Sequence, residues 1–191
     1  LEFNGIKHVL HIIPSGIFHR EKINIIGNGV VIDPVIFEGE IKALEKMGLT
    51  PTDNLWISKK AHLILPTHRL LDAAQESKKG KNKIGSTLKG IGPTYTDKTA
   101  RHGLRVGDIL SEDFQERYNN LVATHKLMLK MYGFEYEEVL PKMELNYFEA
   151  LNTIKKFKFI DSEYEIDDFL NNERSVLAEG AQGTLLDLEF G

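Results

Sequence analysis

A glycine-rich stretch from Ile84 to Asp108 constrains the fold more than any other part of the chain. It contains five glycines and one proline, so we predict that it forms neither an ordinary helix nor an ordinary strand. Cations lie in it and just before it, at Lys78, Lys79, Lys81, Lys83, Lys89, Lys98, Arg101 and Arg105. Hydroxyl side chains accompany them at Ser86, Thr87, Thr94, Tyr95, Thr96 and Thr99. Together these features favour a phosphate-type ligand, and a solvated surface loop is an equally good interpretation of the composition alone.

Short apolar runs of strand character alternate with helical patterns along the rest of the sequence. We predict strands, or apolar runs of strand type, at residues 7–13, 22–26, 30–32, 54–58, 61–65 and 175–178. We predict helices at residues 34–47, 66–78, 114–132, 136–157 and 161–172. Such alternation is typical of an α/β fold, so we expect a largely parallel central sheet with helices packed around it, plus a mainly helical insertion at about 114–172.

Several helix boundaries carry local signals. Asp33 followed by Pro34 is typical of a helix start, with the aspartate as the cap and the proline at the first helical position. Asp113 is a candidate cap for the helix that begins at Phe114. Pro141 is expected either to break the helical stretch around it or to begin a new helix.

The composition excludes some kinds of chemistry and leaves others open. Zero cysteines exclude disulfides, thiolate metal sites and a cysteine nucleophile. No apolar run approaches the ~20 residues of a membrane span, and no secretion signal is visible near Leu1. A net charge of −4 argues against bulk binding to nucleic acid, although the region of the glycine-rich stretch is locally basic. We therefore expect neither nucleic acid nor membrane as a partner.

Histidines and carboxylates give no convincing metal or acid–base motif in the sequence. The seven histidines show neither a His-x-x-x-His spacing nor a glutamate-partnered pair, so we predict no metal site from them. Asp97 and Asp108 are most simply interpreted as helix-cap or salt-bridge carboxylates.

Three segments resemble the adenylosuccinate synthetase family, in that family's order and at about its spacings. The most specific comprises Gly90-Ile91-Gly92-Pro93, Tyr95, Lys98 and Arg101, with Thr87 before it and Arg105-Val106-Gly107-Asp108 after it. The second is Glu179-Gly180-Ala181-Gln182-Gly183-Thr184-Leu185-Leu186-Asp187. The third is Pro14-Ser15-Gly16-Ile17 followed by Ile25-Ile26-Gly27-Asn28-Gly29-Val30-Val31. The resemblance covers essentially the whole chain.

The resemblance implies a ligase of purine nucleotide synthesis. It joins inosine monophosphate (IMP) and L-aspartate to give adenylosuccinate, and it converts GTP to GDP and phosphate with Mg²⁺ as the metal. In the implied chemistry, O6 of IMP attacks the γ-phosphate of GTP and the amine of aspartate then displaces phosphate from the intermediate. The implied assembly is a cytoplasmic homodimer.

Three residues of this chain match residues that bind IMP in the family. Thr87 matches a threonine that binds the phosphate of IMP, and Arg101 matches an arginine that reaches across the dimer into the partner's site. Gln182, expected at the carboxyl end of a strand, matches a glutamine that binds the same nucleotide. Leu88 stands where the family leads us to expect glycine, which puts the detail of loop closure in question.

The resemblance assigns no catalytic residue and no metal ligand to this chain. Neither the family's Gly-Asp-Glu-Gly-Lys-Gly-Lys loop nor its Gly-His-Thr stretch occurs in the sequence, and the family's aspartate and guanine pockets follow the part matched here. We therefore expect residues 1–191 to be an internal part of a single larger domain and to be inactive alone.

Two other functions remain open on the sequence. One is a module that binds IMP and dimerises without chemistry of its own. The other is contact with nucleic acid through the lysines between 78 and 105, although Tyr95 is the only aromatic residue among them.

Overall fold

The computed structural model describes residues 2–3, 6–7, 9–78 and 87–180. The strands are β1 (Glu2–Phe3), β2 (Ile6–Lys7), β3 (Asn24–Ile26), β4 (Val31–Ile32), β5 (Leu55–Ser58), β6 (His62–Leu63) and β7 (Lys158–Ile160). The helices are α1 (Pro34–Lys46), α2 (Pro51–Asn54), α3 (Pro66–Lys78), α4 (Ile91–Ala100), α5 (Phe114–Tyr132), α6 (Leu140–Ile154) and α7 (Ser162–Asn171). Short 3₁₀ helices lie at Ser15–Phe18 and Val106–Leu110. Over these described ranges, no helix combines the length and the apolar character needed to span a membrane.

A parallel sheet forms the centre of the fold, as the alternation of strands and helices predicts. Its order is β3-β5-β7, with Ile57 of β5 paired to Ile26 on one side and to Phe159 on the other. A second parallel pair joins β4 to β6, and β1 pairs with β2 in antiparallel fashion. Leu55 and Ile57 are completely buried because β5 is the middle strand, which explains its apolar sequence.

Helix α1 shows how the local sequence signals produce the packing. The Asp33 carboxylate accepts hydrogen bonds from the backbone N–H groups of Val35 and Ile36, as predicted from the Asp-Pro start. Phe37, Ile41 and Leu44, spaced by four and three positions, lie on one face and are buried. This face packs against α6, and just beyond the end of α6 the Phe157 ring meets the Phe37 ring edge to face at 5.2 Å. The predicted helix at 34–47 is thus confirmed.

The predicted strand at 7–13 is wrong over residues 9–13, which form no strand. The physical reason is the buried side chain of Glu40 on α1. Its carboxylate accepts hydrogen bonds from the backbone N–H groups of His11 and Ile12, and it thereby occupies donors that a neighbouring strand would otherwise use.

The predicted insertion at 114–172 is mainly helical, as expected. Helices α5, α6 and α7 lie within it, and Pro141 lies in the first turn of α6, as expected of a new helix start. However, Lys158–Ile160 forms β7, which pairs with β5 in the central sheet. The block is therefore part of the main α/β layer, because it returns the chain to the sheet.

The predicted strand at 175–178 is wrong as well. These residues form no regular secondary structure, and Leu177 is 91% exposed. An apolar run becomes a strand only where a neighbour supplies backbone hydrogen bonds, and no described strand lies beside this one.

The glycine-rich stretch contains helix α4, which contradicts the prediction that it forms no ordinary helix. Gly90 immediately precedes the helix in a left-handed conformation, and Gly92 and Pro93 fall in the first turn. The first four N–H groups of a helix have no partner within it, so proline costs little there. The position of the glycines and the proline therefore mattered more than their number.

Candidate functional site

The amino-terminal end of α4 is held tightly against α3. Gly90 has φ +77°, and a β-carbon at this position would lie 2.9 Å from backbone atoms of His68 and Arg69. Its N–H group donates a 2.9 Å hydrogen bond to the largely buried Asp72 carboxylate. Only glycine fits this approach without displacing α3. The segment before α4 is therefore anchored at Gly90.

Thr87, the predicted phosphate-binding threonine, lies exposed just before this anchor. Leu88, which replaces an expected glycine, has φ +55°. Since an L-residue other than glycine pays roughly 1–2 kcal/mol for the left-handed conformation, the expectation of glycine at this position has a backbone reason. The structure thus places Thr87 at a strained turn that leads into α4.

Arg101, the second predicted site residue, lies at the other end of α4. It follows the helix directly, with φ +64° and ψ +27°, and it is exposed. The backbone N–H groups of His102 and Gly103 both donate to the carbonyl oxygen of Asp97, at 2.9 and 3.1 Å. These bonds end the helix and fix the direction in which the chain leaves it.

Thr87 and Arg101 are therefore near opposite ends of one helix. The ten residues of α4 span roughly 15 Å, given the rise of an α-helix. This distance is much longer than the hydrogen bonds of about 3 Å that a phosphate group makes. The backbones of Thr87 and Arg101 therefore lie in different surroundings of the same chain.

A turn of the third resembling segment packs against the side of α4. The Tyr95 hydroxyl donates to the carbonyl oxygen of Gly29 at 2.8 Å, and the Lys98 ammonium donates to the carbonyl oxygen of Asn28 at 2.9 Å. Lys98 also lies over the Tyr95 ring. Partial burial, followed by the nearby charge of Arg105, lowers the pKa of Lys98. Tyr95 and Lys98 thus hold the turn at Gly27-Asn28-Gly29 against α4.

Helix α4 is tied to α3 and α5 by a largely buried cluster of His68, Asp97 and His125. Asp97 Oδ2 lies 2.8 Å from Nε2 of His68 on α3 and 2.9 Å from Nε2 of His125 on α5. Nδ1 of His68 accepts a 2.9 Å hydrogen bond from the N–H group of Leu65. Nδ1 of His125 lies 2.7 Å from the Thr67 hydroxyl. The cluster joins three helices through one carboxylate.

The hydrogen bonds assign the protons of this cluster. Because Nδ1 of His68 accepts from a backbone N–H group, neutral His68 carries its proton on Nε2 and donates it to Asp97. Burial lowers the pKa of His68 and so keeps the imidazole neutral. Burial also disfavours the charge on Asp97, but the hydrogen bonds from His125 and His68 outweigh it and hold the pKa of Asp97 well below its usual range. The cluster is an ionised carboxylate held by two imidazole donors.

Within the described ranges, this cluster is the only group of three residues whose ligand atoms could share a metal ion. It does not fit Mg²⁺, which takes oxygen ligands, because two of the three atoms are imidazole nitrogens. For a softer metal, His68 would have to give up the proton that its bond with Leu65 assigns to Nε2. The chemistry of these side chains therefore favours hydrogen bonds from the imidazoles to Asp97 over a bound metal ion.

The sequence did not predict this cluster. His68, Asp97 and His125 are 29 and 28 residues apart, and neither interval is a metal or acid–base spacing. Asp97 was expected to be a helix-cap or salt-bridge carboxylate, and its partners are two buried histidines on α3 and α5. Asp108 does both things expected of it, since it accepts from the Arg105 N–H group and pairs with Arg117 at 2.9 Å.

A further histidine, His62 of β6, is buried beside the carboxyl end of α4. Within the described part of the chain, its Nδ1 atom makes no hydrogen bond of normal geometry, and a β-carbon on Gly103 would lie 2.8 Å from its ring. Burial, and then the positive charges of Lys98 and Arg105, lower the pKa of His62 to about 4. His62 is therefore neutral at physiological pH.

The second resembling segment lies only partly within the described residues. Gln182, the third predicted site residue, falls outside them. Glu179, three positions earlier, accepts hydrogen bonds from the Ser15 N–H group at 3.0 Å and from the Ser15 hydroxyl at 2.8 Å. The turn at Pro14-Ser15-Gly16 is thus brought to the start of the segment that carries Gln182.

Comparison with known proteins gives one family along the whole sequence. A family model for adenylosuccinate synthetase matches residues 1–191. The chain is 60% identical over 191 residues to the adenylosuccinate synthetase of Flavobacterium johnsoniae and covers 45% of that protein. It is 56% identical over 191 residues to the adenylosuccinate synthetase of Parabacteroides distasonis and covers 44% of it. In both comparisons all of this chain is aligned, and it spans less than half the length of the relatives.

A solved structure with the same fold is that of fully ligated adenylosuccinate synthetase from Plasmodium falciparum. The TM-score is 0.80 at 32% sequence identity. The match covers 98% of this chain and 43% of the Plasmodium chain.

Proposed function

Because the chain belongs to the adenylosuccinate synthetase family, we propose that the full-length protein carrying it ligates IMP and L-aspartate to adenylosuccinate while GTP becomes GDP and phosphate. The observation that carries this proposal is the family match along all 191 residues, together with 60% identity to a relative of that name. The protein would then serve purine nucleotide synthesis as a cytoplasmic homodimer.

In this proposal the chain supplies groups that bind IMP. Thr87 donates its hydroxyl to the phosphate of IMP in its own site, and Gln182 binds the same nucleotide. Arg101 forms charge-assisted hydrogen bonds with the phosphate of IMP in the partner's site. The positions of Thr87 and Arg101 near opposite ends of α4 support the assignment of the two residues to different sites. A residue at the far end of the helix is free to face a second copy of the chain.

The remaining chemistry belongs to parts of the full-length protein outside this chain. GTP is the co-substrate, and Mg²⁺ supplies charge neutralisation when it is bound. The cluster of His68, Asp97 and His125 does not suit Mg²⁺, so we place the magnesium ligands elsewhere in the protein. Residues 1–191 are then an incomplete domain, and we expect no turnover from this chain alone.

The proposed function is tested by turnover of the full-length protein. We expect adenylosuccinate to form from IMP, aspartate and GTP, and we expect Arg101→Ala to lower kcat/KM for IMP by about 100-fold through loss of a phosphate contact. Arg20→Ala is a matched control, since Arg20 is an exposed arginine that binds the carbonyl oxygen of Gly48 beyond α1. It should leave the kinetics unchanged. A folded wild-type protein that makes no adenylosuccinate would contradict the proposal.

A further inference from the structure

Arg101 has a backbone conformation that needs support from its surroundings. Its φ of +64° is rare for a residue with a β-carbon, and such strain persists only where neighbouring structure fixes it. The residue is also exposed, so packing around its own side chain does not supply that support. The restraint must therefore come through the backbone at the end of α4.

Asp97 supplies this restraint through its carbonyl oxygen. That oxygen accepts hydrogen bonds from the N–H groups of His102 at 2.9 Å and Gly103 at 3.1 Å, the two residues that follow Arg101. The N–H group of Arg101 itself bonds to the carbonyl oxygen of Lys98 at 3.2 Å, one residue further along α4. The backbone at Arg101 and at the two residues after it is thus hydrogen-bonded to the last turn of α4.

The side chain of Asp97 connects the same turn to the interior. Its Oδ2 atom accepts hydrogen bonds from His68 on α3 and from His125 on α5, and each histidine is at most 1% exposed. Each histidine is held in turn at its other nitrogen, by the N–H group of Leu65 and by the buried hydroxyl of Thr67. Asp97 therefore joins the backbone that holds Arg101 to a hydrogen-bonded network whose two histidines and Thr67 are buried.

We propose that Asp97 is a positioning residue for Arg101, and that the histidine pair on its carboxylate sets where the Arg101 guanidinium meets the phosphate in the partner's site. The inference rests on the proposed function, because it assumes that Arg101 binds IMP. Asp97 does not touch substrate in this account. It acts only by fixing the backbone from which the Arg101 side chain extends.

The isosteric change Asp97→Asn tests this role in the full-length protein. The variant keeps the shape of the side chain but removes its charge, and an amide cannot accept both imidazole protons as strongly. We expect KM for IMP to rise about tenfold, with a smaller change in kcat, because a displaced phosphate-binding group weakens binding. KM for aspartate should change little, since Arg101 is assigned to the nucleotide.

A double-mutant cycle separates positioning from general destabilisation. In an Arg101→Ala background, Asp97→Asn should raise KM for IMP by less than about twofold, because the residue that it positions is already absent. Thr153→Val is the matched control: it removes another largely buried hydrogen bond, from Thr153 to Glu38, away from α4. This control should lower thermal stability without changing KM for IMP.

The possible results differ for the inference and for the function beneath it. An unchanged KM for IMP in Asp97→Asn, with active wild type and a strong Arg101→Ala defect, overturns the inference alone. The inference is also overturned if Asp97→Asn raises KM for IMP by the same factor in the Arg101→Ala background as in wild type. Absence of wild-type turnover overturns both the proposed function and the inference. If Asp97→Asn does not fold, His125→Gln, which retains a donor toward Asp97, should show a smaller rise in KM, and an unchanged KM there counts against the inference.

Discussion

Two glycines of one motif illustrate how much depends on the surroundings of a single residue. Gly90 has φ +77° and no room for a β-carbon, whereas Gly92 lies in the first turn of α4 with nothing within 4 Å of a β-carbon. We expect Gly90→Ala to lower the free energy of unfolding by at least about 2 kcal/mol, because it adds backbone strain to a steric clash.

Gly92→Ala is the control, and it should be neutral or stabilising by up to about 1 kcal/mol, because alanine favours a helix. Urea denaturation of the two full-length variants beside wild type measures the difference. Equal stabilities would show that Gly90 does not approach α3 as described.

His62 gives a prediction for the dependence of stability on pH. Its pKa is lowered from 6.5 to about 4 in the folded protein, by burial first and then by Lys98 and Arg105. Below pH 6.5 the unfolded chain binds a proton that folded His62 does not take up, so stability decreases as pH falls toward about 4. The loss attributable to this residue should be on the order of 2 kcal/mol.

Urea denaturation of wild type and His62→Gln between pH 7.5 and pH 4 isolates this contribution, since glutamine does not titrate. The variant should show a shallower decrease than wild type, while His68 keeps its own contribution of the same sign in both proteins. Parallel curves would mean that His62 does not titrate with a lowered pKa.

At this scale the sequence predicted local roles well and distant contacts poorly. The Asp33 cap follows from adjacent residues, and so does the bond from the Arg105 N–H group to Asp108. The contact of Asp97 with His68 and His125 depends on how three helices pack, which no local spacing encodes. The position of Thr87, a proposed site residue, likewise depends on the approach of Gly90 to α3, a contact between distant segments.

Among the helices, two aspartates at helix starts are expected to differ in their effect. Asp33 caps α1 with bonds to two N–H groups. Asp113 precedes α5 as predicted but makes no such bond, and it accepts from the Ser111 hydroxyl instead. Asp33→Ala should therefore destabilise the protein by about 1 kcal/mol or more, and Asp113→Ala by a few tenths. Thermal denaturation of both variants checks this order, and a larger loss for Asp113→Ala would contradict the assignment of the caps.

Elements were predictable where one periodicity extends over several turns. Helices α1, α3 and α5 follow from their apolar spacing, and α1 also from its aspartate cap. Helix α4 was missed because glycine and proline are unfavourable in a helix interior but tolerated in a first turn. Strand β7 was missed because its three residues carry too little pattern without knowledge of its neighbour β5.

At the scale of the whole molecule, the fold brings distant segments of the sequence to one helix. The turn at Gly27-Asn28-Gly29 binds the side of α4, Gly90 anchors the start of α4 on α3, and Asp97 ties its end to α3 and α5. Helix α4 is thereby held along its whole length. In our account it is a rigid spacer that presents Thr87 to one nucleotide site and Arg101 to the other.

The most direct test of this account is the activity of a mixed dimer. Heterodimers of Thr87→Val and Arg101→Ala full-length subunits can be isolated with two affinity tags. One site of such a dimer has an intact threonine and receives an intact arginine from the partner, while the other site lacks both. We predict that each variant homodimer is strongly impaired and that the heterodimer recovers about half of wild-type activity. A heterodimer no more active than the two homodimers, with both variants folded and dimeric, would contradict the account, because Arg101 would then serve the site of its own chain.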